Sequence, residues 1–326
     1  MACLYFFSHL SQEENFTTSQ KTNLLLIPKP EINYYPINVL PTFSPELQKK
    51  ISSLENQLEV YQVSTYFLSN SDVSAIAKNL GFPNQPTTST DQNGATSYIW
   101  SEGDKFLLIN IKDGKIDYGT THLSSDILSL GISIPFSEAE NTAKNFLGKN
   151  NFLPLTGIEL KNINTSYVYV WETDSKKVQT PQEANAIQVD FGYEINKKVV
   201  INLSTSIIIN NKLQIESFSH QLKFKEVKNL DIYPLKTFDG ISQQVKAENL
   251  ISYLQIPNYY AVEIQEAKNI TNLNYNDIQI LYFNNFSSQN YLQPVYLLTG
   301  TAQLKNNQSA VVGLYLPAIQ DQYLLK

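Results

Sequence analysis

The sequence predicts an α+β protein built of tandem repeats, each a short amphipathic helix followed by an antiparallel β-meander. Three observations predict it. Apolar residues recur at helical spacing in three short stretches, at 71–80, 137–147 and 242–254. Each stretch is followed by segments rich in β-branched and aromatic residues, separated by turn residues. The first two share the string Ala-Lys-Asn, then apolar residues and a glycine, at 77–81 and 143–148. Units of roughly a hundred residues are duplicated domains rather than solenoid repeats. The expected bounds are 46–135, 136–235 and 236–326, behind a tail and linker at 1–45.

The elements follow in order. Residues 1–10 (MACLYFFSHL) are apolar but about half the ~20 residues that cross a bilayer. They read as the end of a signal or anchor helix, or as a loosely docked terminus. Pro28, Pro30, Pro36, Pro41 and Pro45 make the next stretch an extended linker. Leu47, Ile51, Leu54 and Leu58 then give a short amphipathic helix, and 60–68 a strand. The first repeat helix starts at Ser71 or Asp72 and stops at Gly81. Strands follow at 97–100 and 106–111, then a Lys-Asp-Gly-Lys hairpin turn at 112–115 and a strand at 116–118. Ser137 and Glu140 form a capping box for the second helix, which ends at Gly148. Strands at 167–171, 187–195, 199–203, 207–209 and 213–218 complete that unit, with a turn at Asn210 and Asn211. The third helix buries Val245, Leu250 and Leu254, and strands follow at 260–264, 278–283, 295–302 and 310–315.

Composition limits the functions available. The chain has 326 residues, 42% of them hydrophobic, with 20 Tyr and 16 Phe, which excludes wholesale disorder. Its 12 Gly, 14 Pro and single Cys exclude collagen-like and disulfide-rich classes. All 24 basic residues are Lys, and the net charge is -6. Arg supplies the planar fork that grips phosphates and guanine edges, so nucleic acid is not an expected partner. Cys3 alone makes neither an intrachain disulfide nor a cysteine metal cluster. No glycine-rich phosphate loop and no G-x-S-x-G elbow occurs.

A helix ending in Ala-Lys-Asn-Leu-Gly-Phe, a Tyr-x-Trp strand and an Asp-Gly-Lys-Ile hairpin together resemble the PepSY-like repeat. That repeat builds extracytoplasmic accessory proteins of bacterial sensor kinases, the YycH/YycI type. The helix from Ser137 through Leu147 is similar to the one in that group, shifted in detail. The stretch at 291–296, then Gly300 and 315–318, resembles uncharacterised membrane-anchored proteins of uncultivated bacterial lineages. Over about residues 28–320 the resemblance implies an envelope-facing, non-catalytic domain held to the membrane by an N-terminal helix before a proline-rich linker. A complete anchor is the one part of that pattern missing from 1–10.

Candidates for chemistry are few. The three histidines are His9, His122 and His220. His122 stands among Thr120, Thr121, Ser124, Ser125 and Asp126, but catalytic triads assemble in space and rarely from sequence neighbours. His220 follows a strand and lacks visible metal-ligand partners. Asp190 and Glu194 share one face of a strand, as paired carboxylates of a glycosidase would, and as the wetted face of any alternating strand does. Asn272, Asn274, Asn276 and Asp277 imitate the start of a calcium loop but lack its glycine and its final glutamate, leaving an Asn-rich turn. Trp100 and Trp171 stand in matching strands, either as core residues or as platforms that stack on a ligand or partner. Six Asn-x-Ser/Thr sequons, from Asn15 to Asn307, accompany an Asn-rich composition.

The sequence therefore points to an extracytoplasmic, non-enzymatic interaction or scaffold protein. It has no catalytic residue, no cofactor and no metal in its expected inventory. The expected partner is a protein of the envelope, such as a membrane sensor, held through sheet edges and exposed aromatics, with Trp100 and Trp171 as candidate contacts. The second expectation is a carbohydrate-binding surface module using Tyr, Trp and Asn.

Overall fold

Alternating apolar and polar residues drive most of this chain into strands, and the computed structural model holds eighteen among its described residues. It describes residues 24–325 apart from 66–67, 93, 113, 121–128, 155–156, 172–173, 222–223, 257–263 and 285–289. The chain opens with β1 (Tyr35–Pro36), β2 (Thr42–Phe43), α1 (Pro45–Ser52) and β3 (Gln57–Thr65). Next come α2 (Asn70–Asn79), β4 (Thr87–Thr90), β5 (Thr96–Glu102), β6 (Lys105–Asn110) and β7 (Lys115–Thr120). They lead to α3 (Phe136–Lys149), β8 (Glu159–Trp171), β9 (Asp174–Lys177), β10 (Ala186–Ile195), β11 (Lys198–Asn210) and β12 (Ile215–Gln221). The last part is β13 (Phe224–Pro234), α4 (Phe238–Glu248), β14 (Leu250–Ile251), β15 (Tyr253–Gln255), β16 (Ile270–Asn284), β17 (Tyr291–Leu304) and β18 (Ser309–Pro317). No helix among the described residues is long and apolar enough to cross a membrane.

Sixteen strands form one mixed sheet, and β1 pairs with β14 apart from it. This corrects the tandem helix-plus-meander repeats expected from the sequence. The reason is long-range pairing, which periodicity does not carry. β3 pairs antiparallel with β13 along its whole length, from Gln57 opposite Pro234 to Thr65 opposite Phe224. Positions 66–223 between them are therefore an insertion that leaves and re-enters at adjacent strand ends. Within it the order β4-β5-β6-β7-β12-β11-β10-β8-β9 is antiparallel throughout. Its own core holds Val73 and Ala77 of α2, Ala139, Ala143 and Leu147 of α3, and sheet residues such as Ile109, Phe191 and Phe218.

A second core is built from both sides of the insertion. Leu47 and Ile51 of α1, and Ile241 and Val245 of α4, pack on β16, β17 and β18. One short ladder joins the insertion to this outer part, with Val200 and Ile201 of β11 parallel to Tyr282 and Phe283 of β16, and another, β17 with β3 at Tyr291 and Leu292, closes the outer part on itself. A third cluster fills the junction, with Tyr61 and Tyr282 edge to face at 5.5 Å, beside Tyr193, Leu203 and Leu292.

Helix boundaries differ from expectation for identifiable reasons. Ser69 caps α2 through a capping box with Asp72, two or three residues before the expected start. Ser137 lies inside α3, whose N-cap is Pro135 with no side-chain bond, and Glu140 accepts a bond from Thr165 Oγ1 at 2.7 Å instead. The third helix begins after Thr237 and stops at left-handed Asn249, so Leu250 and Leu254 belong to strands. The Asn-rich run at 272–277 is β-strand with a bulge beside Tyr275, not a turn, and its Asp277 pairs with Lys50.

Candidate functional site

A pocket of about 230 Å³ opens where α2 crosses the insertion's sheet near the junction. The capping box fixes the start of α2, and burial of Val73 and Ala77 fixes its rotation. Asp72, Ile76 and Asn79 then fall on the flank that walls the pocket. Opposite, α3 ends and Asn151 turns the chain at φ 60, which drives Phe152 inward to 2% exposure. Tyr193, Leu203 and His220 line the sheet side.

His220 is buried in β12 at 3% exposure. Its Nδ1 lies 2.7 Å from Thr205 Oγ1 and 3.3 Å from the Tyr193 hydroxyl, and those two oxygens are 2.8 Å apart. Its Nε2 is buried and has no hydrogen-bond partner among the described residues. The Phe218 ring stacks on the imidazole at 5.5 Å and Phe152 leans on it at 5.2 Å. Burial disfavours the imidazolium and lowers the His220 pKa to about 3. Burial likewise pushes Tyr193 up to about 12, against a lowering bond from Thr205. Both groups are thus neutral across the physiological range. An imidazole so weakly basic is a poor general base near pH 7, which calls for a pKa close to the working pH.

The other sequence candidates are dispersed. His9 and His122 lie outside the described residues. Asp190 accepts bonds from Ser206, Gln188 and Asn164, while buried Glu194 pairs with Lys161 at 2.6 Å. Each carboxylate is engaged by its own neighbours. Trp100 is 4% exposed and its Nε1 donates to the Asn84 carbonyl, so its ring is core. Trp171 is 37% exposed and stacks with half-buried Tyr169, centroids 5.8 Å apart at 24°. The Lys176 ammonium sits 5.5 Å from the Tyr169 centroid. Sequence reading singled out His220 without its partners, because Thr205 and Tyr193 stand on two other strands and only the register unites them.

The sheet edges are unequal. β9 is Asp-Ser-Lys-Lys, and β13 carries Lys225, Glu226, Lys228 and Asp231 with two bulges. Charges and bulges of this kind discourage strand addition. β15 is three residues long. β4, Thr-Thr-Ser-Thr, is uncharged and fully exposed, and among the described residues it pairs with β5 alone.

No family model and no curated protein matches the chain. A solved structure of an uncharacterised protein from Eubacterium rectale is similar over 88% of this chain and 88% of that one, at TM-score 0.47 and 10% identity. A likeness of that size says nothing of activity.

Proposed function

We propose that this is a non-catalytic interaction protein of the cell envelope, a regulator or scaffold that holds a protein partner by adding that partner's strand to β4. The observation that carries the reading is the uncharged, fully exposed β4 edge beside charged or truncated edges elsewhere. Its outward N–H and C=O groups are a template for an extended segment. The envelope location and the membrane tether are part of this proposal and rest on the short sequence motifs alone, since the repeat fold those motifs implied is not the fold of the chain. A photo-crosslinking residue at Ser89, in living cells, is expected to trap one defined partner, and Thr88→Pro is expected to abolish the adduct while leaving the fold intact. An adduct indifferent to proline at 88 would remove the strand-addition reading.

The second reading, a carbohydrate-binding surface module, has its own observation in the exposed Trp171 ring stacked on Tyr169. Aromatic faces of that kind stack on sugar rings. Glycan-array binding lost in Trp171→Ala would support it, and no binding by the intact protein would end it. Trp100→Ala is no fair test, since it empties the core.

A further inference from the structure

We propose that the face of the insertion's sheet turned away from α2 and α3 binds a neutral sugar chain, in a shallow groove where β6, β7, β12 and β11 run side by side. Strand alternation sets the two faces apart. Leu107, Ile109, Ile116, Tyr118, Ile207 and Phe218 face the core that α2 and α3 cover. Their neighbours Phe106, Leu108, Asp117, Ser206, Ser217 and Ser219 face the other way, and all six are partly exposed. α1 and α4 belong to the second core, so no described helix lies over them. These six line a groove of about 380 Å³, within the roughly 300–1,000 Å³ of ligand clefts.

Small residues make the floor. A Cβ on Gly119 would lie 2.8 Å from Phe106 Cε1 and 2.9 Å from Cζ, so the ring leans across β7 into the space that glycine leaves. On the β12 side the same point is 3.7 Å from Ser217 Cβ. The Ser217 hydroxyl has no hydrogen-bond partner among the described residues. Ser219 donates to Asp117 Oδ1 at 2.7 Å, and Ser206 donates to Asp190 Oδ1 at 2.8 Å. Both hydroxyl oxygens keep lone pairs that can accept from a ligand. An aromatic ring, one free hydroxyl and two accepting hydroxyls therefore share one strip of the sheet.

That set selects a sugar over other occupants. The backbone groups here are spent on the β6–β7–β12–β11 ladders, so a peptide laid on this face would cover its own amides and carbonyls without partners. A lipid would cover three serines with hydrocarbon, at a similar cost. An anion is opposed by Asp117 and Asp190, because Lys115 is already paired with Asp117 at 2.9 Å and no lysine is among the described lining residues. A neutral pyranose fits each feature. Its C–H face rests on the electron-rich face of the Phe106 ring. Its hydroxyls, each both donor and acceptor, pair with Ser217, Ser219 and Ser206. The groove goes beyond strand addition at β4, and it shares no residue with the Trp171–Tyr169 pair.

The test titrates the full chain, labelled at methyls and with 15N, against neutral hexasaccharides: cello-, laminari-, malto-, manno- and chitohexaose. Hexagalacturonate is the anionic control. At least one neutral chain is expected to saturate a single site, shifting the Leu108 methyls and the Gly119, Ser217 and Ser219 amide signals. Ser217→Val keeps a strand-forming side chain while removing the free hydroxyl and filling the floor. It should weaken that sugar about five-fold, the ratio expected for one neutral hydrogen bond, with an unchanged unfolding midpoint. Phe106→Ala should weaken it about ten-fold through lost stacking. Saturation by none of the neutral chains, tighter binding of hexagalacturonate, full affinity in Ser217→Val or Phe106→Ala, or shifts centred on Trp171 would each overturn the groove as a sugar site. The Ser89 crosslink is read on its own, so failure here leaves the β4 reading standing, and failure there leaves the groove.

Discussion

Gly300 sits where β17 passes β16 too closely for a side chain. A Cβ there would lie 2.3 Å from the Asn274 carbonyl oxygen and 2.8 Å from the Tyr275 Cα, both backbone atoms that cannot swing away. Gly300→Ala is therefore expected to destabilise the protein by about 1–3 kcal/mol, seen as a lower urea midpoint. A midpoint matching the parent would mean the strands stand further apart. His220 gives a second expectation at this scale, in pH. An unfolded histidine titrates near 6.5 and this one at about 3, because burial penalises the charged ring. Above pH 6.5 neither state holds the proton. Between 6.5 and 3 the unfolded chain binds it and the folded chain does not, so stability declines with falling pH, by up to ~1.4 kcal/mol per pH unit. Below the folded value the contribution is flat. His220→Gln should flatten the decline between pH 6.5 and 4.5 relative to the parent, whatever its effect at pH 7. Parallel decline in both proteins would remove the buried neutral histidine. In the sequence, His220 was legible as a strand-end residue but its burial was not, since that depends on Phe152 and Phe218 closing over it.

At the level of elements, two serines look alike in sequence and differ in place. Ser69 accepts from the Asp72 amide, and its own amide donates back to the Asp72 carboxylate. Ser137 is exposed within the first turn of α3 and makes no cap. Ser69→Ala should therefore lower stability by about 1 kcal/mol. Ser137→Ala should be neutral or raise it by a few tenths, since alanine is the better interior helix former. Equal losses in chemical denaturation would restore Ser137 as a cap. The helices were legible because an apolar stripe at 3.6-residue spacing survives any later packing, and so were the strands flanking Lys112 to Lys115. The ends were less so. Apolar Leu250 and Leu254 fit a helical face in sequence, yet left-handed Asn249 ends α4 and hands them to β14 and β15. Asn-rich 272–277 reads as turn by propensity, and pairing with β17 on one side and β2 on the other overrides it.

For the whole molecule, the decisive fact is that β3 and β13 are partners with the insertion between them. No local pattern announces that pairing, because register over more than a hundred residues is decided by which faces become buried together. The consequence is testable. One core draws only on residues between 68 and 218, whereas the other needs chain from both sides of the insertion. Replacing residues 66–223 with Asn-Gly would join Thr65 to Phe224, already opposite one another, through a two-residue turn whose twist suits antiparallel strands. The outer unit should remain folded, with dispersed methyl signals from Leu273, Leu298 and Leu314. It should be less stable than the parent, because Tyr61, Tyr282 and Leu292 lose Tyr193, Val200 and Leu203 as cover. A fragment of residues 136–235 should instead stay unfolded: it lacks α2, β6 and β7 for one core and nearly all of the other. Cooperative folding of that fragment, or collapse of the shortened chain, would show that the two cores are not divided at the β3–β13 pair.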